Sequence, residues 1–371
     1  MEVYPATKGN TLQQILTETT FETPLMQLTL TSASFSLIVL GAAGGPFEDR
    51  LTGYLVRPWD SRSLLSFDPG SLLGGIRRSL PSLDTLFNFN SDNTDNTDTA
   101  PKALPSTTLK TLITGHLISH PHLDHCAGLL ISSQADAPGA SKPLYGLNST
   151  LTALNTHAFN NILWPNLPKF GYYHYEQMIP GNITTKTGGI PRLDSLIYPV
   201  SHADLTSACF LLGENLSTFT APSGDAILLC GDLGADVNEK STLNAKMWNS
   251  VAPLVSSKRL KALMIECSFP DSTPTSSLFG HLTPKLVIQE LRVLAQAVLD
   301  LGKSGCSATV ENVLQGFTVI IQHVKESIDA VRAEGGRDLA VEKIVQELGE
   351  QNNLGVKFIF AHQNIGGIIA V

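Results

Sequence analysis

An apolar run, Leu112-Ile113 and then Leu117-Ile118, ends abruptly in His120-Pro121-His122-Leu123-Asp124-His125, three histidines and an aspartate within six positions. No other stretch constrains the chain as strongly. Its apolar half has the composition of a buried strand, and its polar half carries the ligand-type side chains that such a strand delivers. A single histidine on an apolar face is normally a core residue. Four ionisable groups in H-x-H-x-D-H order are different, because desolvating them together without a cation leaves polar groups unpaired at about 1–3 kcal/mol each. A metal removes that cost, and imidazole with carboxylate suits zinc, manganese or iron. The pattern predicts a dinuclear metal site whose remaining ligands come from elsewhere in the chain.

The second half of the sequence repeats the theme. Leu196-Ile197-Tyr198-Pro199-Val200-Ser201 leads to His202, Ala226-Ile227-Leu228-Leu229-Cys230-Gly231 to Asp232, and Phe317-Thr318-Val319-Ile320-Ile321-Gln322 to His323. Earlier, Leu64-Leu65-Ser66-Phe67 closes on Asp68, which is placed either to orient a metal-binding histidine or to cap its own turn. Apolar residues at i, i+3 and i+4 predict helices around Leu286–Leu294 and through Val341, Ile344, Val345 and Leu348, and Leu129-Leu130-Ile131 reads as the beginning of another or the approach to it. Strands alternating with helices give an α/β layered fold.

With 42% hydrophobic and 16% charged residues in 371, the chain can bury a large core. A net charge of −8 offers no general attraction for polyanions, which disfavours a nucleic-acid polymer or an anionic membrane as partner. The five cysteines, Cys126, Cys209, Cys230, Cys267 and Cys306, have no C-x-x-C spacing and suggest a reducing compartment. No basic n-region with an apolar core opens the chain, and no apolar run reaches the ~20 residues of a membrane span. A cytoplasmic location is expected. Residues 1–24 read as a polar N-terminal extension, 25–371 as a single catalytic domain, and 88–107 as a flexible polar insert within it. The turn Gly41-Ala42-Ala43-Gly44-Gly45-Pro46 lacks the lysine of a P-loop and reads as a tight turn. The aromatic segment His157–Tyr175 reads either as a wall for a stacked base or as packing.

Chemically, two ions roughly 3.5–4 Å apart acidify a water and brace the oxygens of a displacement at phosphorus. H-x-H can seat one ion and D-H the other. Asp232 is the natural bridge, since a carboxylate has two oxygens to share and an imidazole serves one ion only.

The run Ser119–His125 followed by Gly128-Leu129 resembles the metallo-β-lactamase superfamily. Four further stretches narrow the likeness to the class II cyclic-nucleotide phosphodiesterases: Leu40–Pro46, Phe159–Pro165, Ile265-Glu266-Cys267-Ser268-Phe269 and Leu278-Phe279-Gly280-His281-Leu282-Thr283-Pro284. The resemblance implies an αββα sandwich, two mixed β-sheets flanked by helices, with the metals at one edge. It implies His120, His122 and His202 on the first ion, Asp124, His125 and His323 on the second, and Asp232 bridging. Both His281 and His323 suit the last ligand position, and His323 is preferred because it closes a strand. His281, before Thr283-Pro284 and a helix, suits protonation of a leaving oxygen, with Glu266 supporting it as in the related tRNA 3′-processing endonucleases. Ala203-Asp204 stands where the family has a glycine after His202, and Pro69 follows Asp68 where a small residue is usual.

The activity so implied is hydrolysis of 3′,5′-cyclic AMP, and of cyclic GMP as a further candidate, to the 5′-nucleotide by a metal-bridging hydroxide. Catalytic roles fall on Asp124, Asp232, Glu266 and His281. The cofactors are two divalent ions, zinc first and manganese or iron as alternatives, and the effect is to lower cyclic-nucleotide signalling. A tRNA 3′-end endonuclease and a non-catalytic nucleotide sensor are the competing readings. The first usually needs a basic RNA-holding arm, and the second has no need of seven ligands. A homodimer is compatible with the sequence, which does not fix the oligomeric state.

Overall fold

The computed structural model describes residues 33–87, 103–216, 224–302, 309–328 and 338–371. Strand β1, Phe35–Gly41, is apolar at nearly every position because it is buried on both faces. Phe35, Leu37 and Val39 point into the core between the two sheets, while Ile38 and Leu40 meet helices outside.

The first sheet has seven strands in the order β13-β1-β2-β3-β4-β5-β6 and the second has six, β12-β11-β10-β9-β8-β7. Their ranges are β2 Gly53–Pro58, β3 Leu64–Phe67, β4 Ile113–Leu117, β5 Lys142–Gly146, β6 Tyr173–Gln177, β7 Leu193–His202, β8 Leu205–Glu214, β9 Ala226–Cys230, β10 Leu260–Glu266, β11 Thr318–Gln322, β12 Lys357–Phe360 and β13 Ile368–Ala370. The two halves repeat one pattern. In β1–β6, as in β7–β12, the first three strands pair antiparallel and the rest add in parallel. β13 then returns to pair with β1.

Phe67, Leu117 and Val56 of the first sheet share one core with Phe210, Leu229 and Met264 of the second. Outside the first sheet lie α1 (Leu73–Arg78), α2 (Leu80–Phe87) and α3 (Leu123–Ser132). Outside the second lie α4 (Leu243–Ser256), α5 (Pro284–Leu301) and α6 (Leu339–Gln351). Helix α5 starts with Pro at its first position, where the missing N–H costs nothing. It buries Val287, Ile288, Leu291, Leu294 and Ala295, the i, i+3, i+4 stripe of an amphipathic helix. Across the α4–α5 contact the fully buried Trp248 donates Nε1–H to Glu290 Oε2 at 2.7 Å. The result is the four-layered αββα sandwich expected from the sequence.

One local expectation is corrected. The helix after the histidine cluster begins at Leu123, not near Leu129. His122 is extended at ψ 146 and the helix starts immediately after it, so Asp124 and His125 stand in its first turn. The polar stretch is therefore part loop and part helix, because the N-terminal turn of a helix accepts an acidic residue readily.

The expected N-terminal extension, 1–24, and residues 88–102 of the expected insert lie outside the described residues. At the end of that insert, Ala103 is buried with its N–H bonded to the Asp84 carboxylate, and Pro105–Thr107 form a helical turn. Among the described residues no helix is long and apolar enough to cross a membrane.

Candidate metal centre

Every candidate ligand leaves the carboxyl end of a strand or the segment that follows it. β3 leads to Asp68, β4 to Ser119, His120 and His122, β7 ends on His202, β9 leads to Asp232, β10 ends on Glu266, and β11 leads to His323. Loops at this end of a sheet are where α/β folds place their sites. Three of these turns hold a non-glycine residue at positive φ: Asp68 at 44°, Ala203 at 47° and His323 at 60°. Such conformations cost of order 1–3 kcal/mol each and collect where geometry is imposed by function. Ala203-Asp204 thus closes the β7–β8 hairpin without a glycine, with His202 still paired to Leu205.

The glycine turn after β1 serves the site sterically. A Cβ on Gly44 would lie 2.5 Å from His323 Cε1, so only glycine lets the imidazole occupy its place. Gly231 plays the same part before Asp232, where a Cβ would lie 2.3 Å from the Ser119 Oγ.

Asp232 is the centre of the cluster. Its Oδ2 is 3.2 Å from His125 Nε2 and 3.2 Å from His323 Nε2, and 3.8 Å from both His120 Nε2 and His202 Nε2. Asp124 Oδ2 lies 3.2 Å from His323 Nε2 and 3.7 Å from His125 Nε2. His120 Nε2 faces His122 Nδ1 at 3.0 Å, and His125 Nε2 faces His323 Nε2 at 3.1 Å. Ring nitrogens that converge in this way need either a shared proton or a cation between them.

Two ligand sets follow from the spacing: His120, His122 and His202, and Asp124, His125, His323 and Asp232. A third grouping joins His202, Asp232, Glu266 and His281. His323, rather than His281, sits among Asp124 and His125. His281 lies beside Glu266, its Nδ1 2.9 Å from Oε1, and 3.8 Å from Asp232 Oδ2. The Asp68 carboxylate takes the orienting role that the sequence left open, with Oδ2 2.9 Å from His125 Nδ1.

The electrostatics favour cation binding. Burial pushes the His120, His122 and His202 imidazoles below the usual histidine range, toward the neutral form that ligates a metal. Burial raises the Asp232 carboxyl, but His125 and His323 outweigh it and hold it well below the usual carboxylate range. The buried Asp232 Oδ1 has no hydrogen-bond partner among the described residues. An ionised carboxylate with one oxygen unpaired at 1% exposure is expensive unless a cation completes it. The donor set therefore fits two divalent ions.

The site opens where His122 is exposed and Asp124 half-buried. Phe279 and Leu123, 70% and 62% exposed, are neighbours of His281 and Asp124 in the chain. In the aromatic segment, Phe159 and Tyr173 are buried with Ile118 and Leu129, and Trp164 bonds Ser133. Those side chains pack against α3. Ser119 and Ser268 stand within the motifs, but no role for them was legible there; their hydroxyls touch the histidines from outside. Their partners lie up to 55 positions away and only the fold joins them.

Two mixed sheets face to face, helices outside and ligands along one shared edge define a metallo-β-lactamase fold. The unliganded crystal structure of yeast PDE1 matches it with a TM-score of 0.70 at 23% identity, covering 91% of this chain and 100% of that one. The Bacillus subtilis metallo-β-lactamase fold protein YhfI matches at 0.52 and 14%, covering 91% and 99%. Within that fold the chain belongs to the family described as cAMP phosphodiesterases class-II, which it matches over residues 35–364. A 3′,5′-cyclic-nucleotide phosphodiesterase of Aliivibrio fischeri is 34% identical over 342 residues, 90% of this chain and 92% of that protein. One of Schizosaccharomyces pombe is 29% identical over 343 residues, 89% and 91%.

Proposed function

We propose that the chain hydrolyses 3′,5′-cyclic AMP, and cyclic GMP in addition, to the 5′-nucleotide with two divalent ions, zinc foremost. His120, His122 and His202 would hold one ion and Asp124, His125 and His323 the other, with Asp232 available to both. The observation that carries this reading is the Asp232 carboxylate, within 3.8 Å of imidazoles from both sets and with its second oxygen unpaired. When bound, the ions supply Lewis acidity and a water of lowered pKa.

The chain's own residues do the rest. Asp232 and Asp124 set negative charge beside the converging imidazoles and would offset the charge of bound cations. His281 holds a proton for the departing 3′-oxygen. Burial lowers its pKa, but the Glu266 carboxylate outweighs burial and leaves it raised above the ordinary histidine value. Asp232, Glu266 and His281 are themselves buried, and charges act more strongly on one another there than in water. Cys126, Cys209, Cys230 and Cys267 are free and buried, which supports a reducing, cytoplasmic location. The core shared by both sheets supports a single catalytic domain.

The test is to incubate purified protein with each cyclic nucleotide and resolve the products chromatographically, with bound metal measured by mass spectrometry. The 5′-monophosphate, formed by a protein carrying about two ions, is expected. Formation of the 3′-monophosphate would overturn the assignment of the 3′-oxygen as the leaving group, and two bound ions with no turnover of either nucleotide would overturn the substrate assignment.

A further inference from the structure

Behind the metal-facing side of the cluster, each half of the fold places a serine two residues beyond the end of its fourth strand. Ser119 follows β4, which ends at Leu117, and Ser268 follows β10, which ends at Glu266. Both serines are fully buried, and both hydroxyls stand between a carboxylate and an imidazole. Ser119 Oγ donates to Asp68 Oδ2 at 2.6 Å and lies 2.9 Å from His120 Nδ1. Ser268 Oγ contacts Glu266 Oε2 and lies 3.0 Å from His323 Nδ1, 2.9 Å from the His323 carbonyl and 3.3 Å from His281 Nδ1.

Each carboxylate also holds a second histidine directly: Asp68 holds His125 at 2.9 Å, and Glu266 holds His281 at 2.9 Å. Two forks result, each with a carboxylate at its base, one histidine on the direct arm and one on the serine arm. The Asp68 fork carries His125 and His120, which belong to different ligand sets. The Glu266 fork carries His281 and His323, joining the proton-bearing histidine to a ligand.

We propose that Ser119 and Ser268 are positioning residues that fix the tautomers of His120 and His323. A hydroxyl has one proton and accepts on its oxygen. Ionised carboxylate is the strongest acceptor in reach, so each serine proton goes to Asp68 or Glu266. The serine oxygen is then left to accept from the imidazole Nδ1–H. With Nδ1 protonated, Nε2 carries the lone pair that would bind a cation lying between it and Asp232. This inference rests on the metal-binding reading above.

The test compares Ser119→Ala, Ser268→Ala and Ser268→Thr with the parent by zinc titration against a competing chelator, with thermal denaturation of each metal-free protein alongside. Loss of an outer hydrogen bond to a metal-ligating histidine costs about 10–100-fold in metal affinity. Ser268→Ala is expected to weaken the ion held by His323 by that factor and to spare the other. Ser119→Ala is expected to do the reverse, and Ser268→Thr, which keeps the hydroxyl, to stay close to the parent. Alanine variants that bind both ions with parental affinity, even if their metal-free forms melt at lower temperature, would overturn the proposal and make the serines packing residues. A parent that binds no divalent ion would instead sink the metal reading on which this rests.

Discussion

Glu266 Oε1 stands 2.9 Å from His281 Nδ1, with both side chains buried and both beside Asp232. The pair has a definite consequence for pH dependence. Burial lowers the His281 pKa, and the Glu266 carboxylate outweighs burial and leaves it raised. Replacing Glu266 by Gln removes the charge but preserves the shape. The imidazolium is then less stable, its pKa falls, and the alkaline limb of kcat/KM is expected to move to lower pH. His281→Ala is expected to lower kcat by about 100–10,000-fold, the usual contribution of a general acid, with bound metal retained. Steady-state profiles of the three proteins check both statements. An unmoved alkaline limb in Glu266→Gln would show that the pair has no part in proton transfer.

His116, in β4, makes acid stability measurable from a site away from the ligands. Its Nδ1 meets Ser66 Oγ at 2.6 Å, and its buried Nε2 has no partner among the described residues. Burial, helped by the charge of Lys142, pushes its pKa down to about 3. A folded pKa below the unfolded value of about 6.5 means that the unfolded chain takes up the proton first. Stability from this group is therefore complete above that value and falls as pH drops toward about 3. At pH 5 the loss is about 2 kcal/mol. Urea denaturation of the parent and of His116→Gln at pH 7 and pH 5 should show a smaller acid-side loss in the variant. Equal losses would contradict the account.

Lys142 is held under the first sheet by Asp136, at 2.6 Å, and by the Leu109 carbonyl, while Tyr173 donates its hydroxyl to the other Asp136 oxygen at 3.1 Å. Removing one member of such a pair leaves an unpaired buried charge. Asp136→Ala is expected to cost about 3–5 kcal/mol of folding stability. Chemical denaturation reads this directly, and a loss below 1 kcal/mol would mean that water or another group pairs the lysine.

The candidate ligands were legible in the sequence because strand ends concentrate them. His120, His122, Asp124, His125, His202, Asp232 and His323 each stand after an apolar run, and the structure brings all seven together. The αββα layering was legible for the same reason, since buried parallel strands and amphipathic helices have distinct periods. Less could be read where contacts are long-range. Asp68 could be a cap or an orienting group until the fold set it against His125, 57 positions away. The start of α3 at Leu123 is not legible in the sequence because H-x-H-x-D-H carries no helical period of its own. Ser119 and Ser268 belong to the motif stretches, but their contacts with Asp68, Glu266 and the histidines exist only in the fold.

The most direct test of the account is metal stoichiometry and cyclic AMP turnover measured on the same preparations of the parent and Asp232→Ala. A carboxylate shared by both ligand sets predicts about two ions and formation of 5′-AMP in the parent, with loss of bound metal and no detectable turnover in the variant. An Asp232→Ala protein that keeps two ions and parental turnover would contradict the shared-carboxylate centre.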